Sequence, residues 1–555
     1  MKVLLVTEKC NPHASQRDGG ARLVDTMQKA LGEALKIMQF GPEMESSATW
    51  RFDYPFDKPN RFERRLAHAH FIGKKVQEVQ KQFTHIIFVH VSMQFGLVDF
   101  PLKEGIYIWT FPMFLSPSYR ASGEFVPEEY YQMERQALAL SHNILSPSYL
   151  EKKQLMEDYS VPESHIHIVP RGIDMTLLLP EVRFLGGPLT FCSIGSIKPQ
   201  KNTLGLLQNF EHIREKFPDA KLCLIGPIQD EVYGVEVCTY IKRQGWNDVV
   251  ELAGPIAPDK LGEMLKGFHF HLSASTCETF GRSIFETLAS GLPNIINSQG
   301  NAAAEFLKDL PYVQFVEDAK GVLNALEEML PHFSLLSSMS MEIGRLYNDT
   351  MLSQLIIAKI CNHGRMAISD FDGTLYHKND PERTQECMER FQQFPVRVLC
   401  SARSIEDLKQ QLELYDLTVD WIIGWSGSIV TDGLGRVQWV HPLDVKDVSR
   451  LEKEVPQSKR IEFEGQVLQM TAPAQSMPSF LGLRREIYQD QAFVIHWTAS
   501  KLRAVHRLLQ VMNWSGQVCV FGDGPYDKEI LNYFDGTLIT SSIDNNRQKQ
   551  EVKYG

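Results

Sequence analysis

The stretch CETFGRSIFETLASGLP, Cys277 to Pro293, decides how the N-terminal part of the chain reads. Glu278 and Glu286 flank Phe280-Gly281, and a helix is expected to begin near Arg282. A helix start presents free backbone N–H groups and a partial positive charge, a natural seat for a diphosphate. Gly281 lets that backbone approach a ligand closely. The two carboxylates beside it can accept hydrogen bonds from sugar and ribose hydroxyls.

On either side, short apolar runs alternate with longer amphipathic segments, the pattern of α/β domains with parallel sheets. MKVLLV, HIIFVHV and GIYIWTF read as strands of a first block, and LTFCSIGS, AKLCLIGP, VVELAGPI and FHFHLSAS as strands of a second. The runs of the second block end at Gly, Pro or Ser, where a doubly wound sheet carries its ligand loops. The turn-rich segment Val169–Asp174 and the Gly186-Gly187-Pro188 break divide residues 1–182 from 183–360 as two Rossmann-like domains. A helical stretch after Pro331 is expected to reach about Ile360. The run MAISDFDGTL then opens a third block, continued by VRVLCSAR, WIIGWSG and QVCVFGDG, which makes residues 361–555 a further α/β domain.

A chain of 555 residues is too long for one hydrophobic core. Its net charge of −11 argues against nucleic acid or an anionic membrane as the main partner. Nine Cys residues without a CxxC pair or a Cys/His cluster at zinc-ligand spacing fit a reducing compartment, so the expected location is cytoplasmic. The apolar run Val3–Val6 is too short for a signal-peptide core and reads as a first strand. No transmembrane segment is expected. The sequence leaves open whether the chain forms a homo-oligomer.

Several elements occur in a fixed order along residues 1–360. Gly19-Gly20 follow the first strand, Pro170-Arg171-Gly172-Ile173-Asp174 forms a linker, and Gly195 to Lys201 forms a loop. Leu224-Ile225-Gly226 ends a strand, and the Glu278–Glu286 segment completes the set. Together they resemble the retaining GT-B glycosyltransferases of the GT4-type group, which includes sucrose-phosphate synthases. The resemblance implies a nucleotide-sugar donor as co-substrate and an acceptor bound by the N-terminal domain. It implies that Lys201 neutralises the departing diphosphate, Glu278 holds the transferred sugar and Glu286 the ribose. Phe280 and Gly281 then supply backbone contacts, and Gly19 and Gly20 belong to the substrate-binding glycine loop. Two positions depart from the pattern: Ser196 stands where an arginine is expected, and Thr110 where a histidine is expected. Arg17, Arg171 and Lys198 are candidates to replace the cation, and His90 to replace the histidine. Arg120, in the polar turn-rich loop Ser116–Glu124, is either an acceptor-phosphate ligand or a surface arginine.

In the third block Asp370 and Asp372 lie just past the end of a strand, so their carboxylates can converge on one phosphate. One can attack phosphorus while the other exchanges a proton with leaving group and water. A cation is needed between carboxylate and phosphate. Ser401 and Arg403 follow the next strand, Lys501 begins a helix, and Asp523 and Asp527 follow a last strand. This order resembles the haloacid dehalogenase superfamily, in the branch with an inserted α+β cap, as in sucrose-phosphate phosphatases. The resemblance implies Asp370 as nucleophile and Asp372 as general acid/base. Ser401, Arg403 and Lys501 fall on the phosphate and substrate side. A Mg²⁺ site would use Asp370, Asp523, Asp527 and the backbone carbonyl of Asp372. Tyr526 departs from the small polar residue usual there. The cap spans about 432–497, with Arg436, Lys459, Arg460 and Arg484 as substrate contacts or surface charges.

The two resemblances together imply a bifunctional enzyme. Glycosyl transfer to a phosphorylated small-molecule acceptor, a sugar or cyclitol phosphate, is followed by Mg-dependent removal of the phosphate. The alternative makes the N-terminal half a degenerate sugar-nucleotide sensor regulating an independent phosphatase.

Overall fold

The computed structural model describes residues 2–8, 19–41, 48–55, 58, 60–121, 123–308, 310–349, 353, 356, 360, 365–488, 490–512, 514 and 516–539. The chain divides into two compact units, Met1–Ile357 and Ala358–Gly555.

The first unit holds two parallel sheets. The first contains β1 (Val3–Thr7), β2 (Leu35–Phe40), β3 (Trp50–Phe52), β4 (His85–Val89), β5 (Tyr107–Phe111), β6 (Asn143–Ser146) and β7 (Ile166–Ile168). The second contains β8 (Thr190–Ile194), β9 (Lys221–Ile225), β10 (Val250–Gly254), β11 (Phe270–Ser273), β12 (Asn294–Asn297) and β13 (Val313–Val316). Among the described residues the orders are β3-β2-β1-β4-β5-β6-β7 and β10-β9-β8-β11-β12-β13. Both sheets are doubly wound, with the reversal between β1 and β4 in one and between β8 and β11 in the other. Ligands bind outside the carboxyl ends of strands at such reversals. All five residues of β1 are buried, because helices cover both faces of a parallel sheet and a continuous apolar run satisfies both. The segment Ser116–Glu124, expected as a loop, begins with a helix over Ser116–Ala121. The backbone N–H of Ser116 there donates to buried Glu134 at 3.1 Å. After Pro331 the chain is helical over Phe333–Ser340 and Glu342–Leu346.

The second unit is built on β14 (Arg365–Ser369), β15 (Val396–Cys400), β16 (Trp421–Gly424), β17 (Ile429–Asp432) and β18 (Val437–Val440). A separate layer carries β19 (Lys459–Phe463), β20 (Gln466–Pro473), β21 (Leu483–Tyr488) and β22 (Gln491–His496), and the chain returns to the large sheet with β23 (Gln517–Gly522) and β24 (Thr537–Leu538). The large sheet runs β18-β17-β16-β15-β14-β23-β24, and the smaller one β19-β20-β22-β21. The inserted layer is therefore narrower than the expected 432–497. Residues 429–432 pair antiparallel with β16 through a tight turn at Trp425-Ser426-Gly427, and 437–440 pair antiparallel with 429–432, all in the large sheet. The layer itself starts with the helix Val445–Glu454. Strands β14 and β23 pair in parallel, Arg365 with Gln517 through Ser369 with Phe521. That register brings the Asp370 loop beside the Asp523 loop.

Among the described residues, no helix is long and apolar enough to cross a membrane.

Candidate active sites

In the first unit a cavity of about 480 Å³ is lined by loops at the carboxyl ends of strands from both sheets. Lys201, Glu278 and Glu286 line it together. The Lys201 ammonium is ion-paired with Glu278, and Glu286 is ion-paired with Arg22. Gly281 caps the helix Arg282–Ala289 with φ of +81°, a left-handed conformation that a side chain would strain. The ring of Phe280 is buried and stacks on Phe285 with centroids 4.2 Å apart, so this residue offers the cavity its backbone. Gly19 and Gly20 open the helix Gly19–Leu31, and Arg17 lies outside the described residues.

Several cations line the cavity beside Ser196. Ser196 lines the cavity, as do Arg22, Arg65, Arg171 and Arg282. Burial lowers both Arg171 and Arg282 to about 10, and for Arg282 the neighbouring Arg22 adds to the effect. One terminal nitrogen of each, Nη1, is buried without a hydrogen-bond partner among the described residues. Buried polar groups are rarely left unpaired, so two such guanidinium nitrogens on one cavity wall suit an anionic ligand.

The histidine position requires a correction. Thr110 does not reach the cavity. It is fully buried inside the first sheet, where its hydroxyl donates to Gln94 Oε1 at 2.5 Å and lies 2.8 Å from Ser141 Oγ. His90, at the end of β4, lines the cavity instead. It sits at φ of +85°, and its Nδ1 accepts from the Ser92 backbone N–H at 3.1 Å. Burial, then Arg65 and Arg61, hold the imidazole well below its usual range. With Nδ1 accepting, the proton is on Nε2, which is buried without a hydrogen-bond partner among the described residues. Arg120 pairs with Glu128 at 3.2 Å and lies over the Tyr131 ring. It does not line this cavity.

In the second unit Asp370, Asp523 and Asp527 gather so that one carboxylate oxygen from each lies within 4.8 Å of the others. Lys501 Nζ bridges two of them, 2.9 Å from Asp370 Oδ1 and 2.7 Å from Asp527 Oδ1. Asp527 Oδ2 accepts from the backbone N–H groups of Asp523 and Gly524 at 3.2 and 3.1 Å. Burial pushes the Asp370 carboxyl up to about 7 against the opposing pull of Lys501, with Asp527 and Asp523 adding to the rise. Gly373 has φ of +75°, and a Cβ there would run into the Asp523 carboxylate. Three hard oxygen donors at this spacing fit a small divalent cation such as Mg²⁺.

The Asp372 side chain is not in this cluster. Arg403 holds it in a bidentate pair, Nε and Nη2 each 2.6 Å from a carboxylate oxygen, so only its backbone carbonyl is left for a metal. Arg403 Nη1 is 2.7 Å from Asp407. Arg403, expected on the phosphate side, thus also meets Asp372, because a planar guanidinium fork matches a carboxylate in two parallel bonds. Ser401 is buried beside these residues, and its hydroxyl accepts from the Arg403 backbone N–H at 3.3 Å.

The phenol of Tyr526 points at the inserted layer. It donates to Ile487 O at 3.0 Å and accepts from Ile487 N–H. Arg484 of the same strand pairs with Glu529 at 3.0 Å and with Glu486 at 3.2 Å, while Ser426 donates to Glu486. Arg436 pairs with Asp432 and Arg460 with Glu452, both on the surface. Lys459 is exposed.

Sequence reasoning missed Arg22, Arg65 and Arg282. Arg282 stands inside the quoted stretch as the first helical residue, and Arg22 falls in the first turn of the helix that Gly19-Gly20 begin. Their positions in the sequence were visible, but their convergence depends on how the two sheets face each other.

Residues 178–330 match the family Glycosyl transferases group 1. The mannosylfructose-phosphate synthase of Agrobacterium fabrum is 25% identical over 171 residues, which is 28% of this chain and 38% of that protein. The chain thus matches well under half the length of this curated relative. Sucrose-phosphate synthase from Thermosynechococcus elongatus superposes with a TM-score of 0.55 at 16% identity, covering 65% of this chain and 98% of that one. Anabaena HepE in complex with UDP and glucose superposes with a TM-score of 0.50 at 14% identity, covering 65% and 99%. These likenesses establish that the two parallel sheets of the first unit form a GT-B-type fold.

Proposed function

We propose that the first unit transfers a glycosyl group, with retention, from a nucleotide sugar to a phosphorylated small-molecule acceptor, and that the second unit removes the acceptor's phosphate. The observation that carries the first half is the meeting of Lys201, Glu278, Glu286 and the Gly281-capped helix start on one cavity that also holds two guanidinium groups with unpaired nitrogens. The group 1 match and the fold shared with a sucrose-phosphate synthase and a UDP-binding HepE support a nucleotide-sugar donor.

When the bond from sugar to diphosphate breaks, negative charge grows on the departing nucleoside diphosphate. Lys201, Arg282 and the backbone N–H groups at the helix start face that charge, and preorganised donors of this kind are often the largest catalytic term. Glu278 then turns from Lys201 to the sugar hydroxyls. Glu286, fixed by Arg22, accepts from the ribose, and His90 presents Nε2–H to the sugar. The sensor alternative rested on Ser196 and Thr110, and the cations and imidazole on the cavity wall supply what those positions lack.

The second unit acts as a phosphatase of the haloacid dehalogenase type. Asp370 attacks phosphorus, the alcohol leaves, and water cleaves the resulting aspartyl phosphate to return the free carboxylate. Asp372, on turning from Arg403, gives a proton to the departing alcohol and takes one from the water. Lys501 and Ser401 hold phosphate oxygens. Asp370, Asp523, Asp527 and the backbone carbonyl of Asp372 would hold Mg²⁺, whose charge offsets the repulsion between carboxylate and phosphate. The named product of the Agrobacterium relative, a phosphorylated disaccharide, is a substrate of the class this second step needs.

The test is a full-chain incubation with UDP-glucose and hexose 6-phosphates, following UDP, disaccharide and inorganic phosphate. Asp370→Asn should let the phosphorylated disaccharide accumulate, and Lys201→Ala should stop its formation. A wild-type product that keeps its phosphate refutes the coupling.

A further inference from the structure

A second, larger cavity of about 910 Å³ lies against the first, and His90, Arg65 and Tyr119 line both. Its wall carries Arg61, Arg64 and Arg65 from the first turn of the helix Arg61–Val79, and Lys198 from the loop after β8. Residues at i, i+3 and i+4 share one helix face, so the three guanidinium groups enter the cavity from one side and the ammonium enters from the other sheet.

Among the described residues three carboxylates also line it, and each has a partner. Glu124 pairs with Arg61 and accepts from Gln200 Nε2 at 3.1 Å. Glu8 accepts from the Tyr54 hydroxyl at 2.9 Å and lies 3.9 Å from Arg65. Asp230 caps the helix Glu231–Arg243 by accepting from Tyr233 N–H at 2.9 Å. Arg65 is further held by the hydroxyls of Tyr130 and Tyr119 at 3.1 and 3.5 Å. Arg64 and Lys198 have no carboxylate partner among the described residues. Lys198 is half-buried over the Phe114 ring, its charge disfavoured first by burial and then by Lys201 and Arg61. Glu278 and Glu124 only partly offset this and neither pairs with Lys198, so a bound anion would further favour its charged form.

We infer that this cavity is the acceptor pocket, and that Arg64 and Lys198, joined by Arg61 when Glu124 yields it, grip a phosphomonoester on the acceptor while its attacking hydroxyl faces His90. The inference rests on the transferase reading and names the residues that select a phosphorylated acceptor. A phosphomonoester carries close to two negative charges and three strong acceptor oxygens, which suits two cations approaching from opposite walls. A neutral sugar would leave both cations in the same unbalanced state.

The experiment is titration calorimetry on the full chain with glucose 6-phosphate, fructose 6-phosphate, the two free hexoses, inorganic phosphate and UDP-glucose. Wild type is compared with Arg64→Gln, Lys198→Gln and Asp523→Asn, each checked for an unchanged melting profile. Arg64→Gln and Lys198→Gln should each weaken hexose-phosphate binding by about 10- to 100-fold, the worth of one charge-assisted phosphate contact. UDP-glucose binding by Arg64→Gln should shift by less than about twofold, since Arg64 does not line the donor cavity. Hexose-phosphate affinity that is equal in wild type and both variants overturns the inference. So does loss of binding in Asp523→Asn alone, or inorganic phosphate binding as tightly as the hexose phosphates. If UDP-glucose binds to no sample, the transferase reading fails by itself, and the hexose-phosphate results still judge the anion pocket.

Discussion

Exchanging one hydroxyl for a methyl at position 110 separates a structural residue from a catalytic one. Thr110→Val keeps shape and volume but removes the donor to Gln94 Oε1 at 2.5 Å and the contact with Ser141 Oγ at 2.8 Å. Neither neighbour is wholly abandoned: Ser141 Oγ still reaches Gln94 Oε1 at 3.3 Å, and Gln94 Nε2 still reaches Ser141 Oγ at 3.1 Å and Ala137 O at 2.6 Å. The cost should therefore sit in the lower part of the range for a disturbed buried hydrogen bond, about 1–2 kcal/mol. For a unit of this size that corresponds to a fall in Tm of about 1–3 °C. Transferase kcat should stay within about twofold, because nothing on the cavity wall moves. His90→Ala is the counterpart. It removes a donor aimed at the reacting sugar, which costs about 10²- to 10³-fold in turnover when such a donor acts in the transition state. The assay is UDP release from UDP-glucose in the presence of a hexose 6-phosphate, alongside differential scanning fluorimetry. Turnover lost in Thr110→Val at unchanged Tm, or retained in full in His90→Ala, would refute the assignment.

Other expectations follow from the same contacts. Gly373→Ala should abolish phosphate release by more than about 100-fold and spare glycosyl transfer, since a Cβ at φ of +75° collides with Asp523; phosphate and UDP assays on one sample check it. Lys501→Met leaves Asp370 and Asp527 without their buried cation and should cost about 3–5 kcal/mol in urea unfolding without divalent ions, with part recovered in millimolar MgCl2. His90 stays neutral when folded but takes up a proton near pH 6.5 when unfolded. Its contribution to stability is therefore complete above about pH 6.5 and is lost as pH falls below that value. His90→Gln should flatten the acid limb of stability against pH by up to about 1.4 kcal/mol per unit, measured by urea titration from pH 5 to 8.

The alternating apolar runs made the sheets legible, because strands buried on both faces must be continuously hydrophobic. Their order across each sheet was not legible, since the runs at β2, β3 and β7 are short or mixed with polar residues. In the second unit the side chains of Asp370, Asp523, Asp527 and Lys501, far apart in sequence, lie together. The commitment of Arg403 to Asp372 was hidden, because an arginine after a strand can face either a ligand or a neighbouring carboxylate. Thr110 misled because two adjacent strands end in similar apolar text, and only the register shows which end faces the cavity. The arginine set at positions 22, 65 and 282 depends on the meeting of two sheets far apart in sequence, and no local pattern encodes that.

The two hydrogen bonds between Tyr526 and the Ile487 backbone, with Arg484 reaching Glu529, have a mechanical consequence. The strand that would have to swing away to admit or release a bulky substrate is fastened to the turn that carries Asp523 and Asp527. Any outward movement of that strand would therefore pull on the acidic turn. A small polar residue at position 526 would uncouple the two, allowing the doorway to move without disturbing the anvil beneath it.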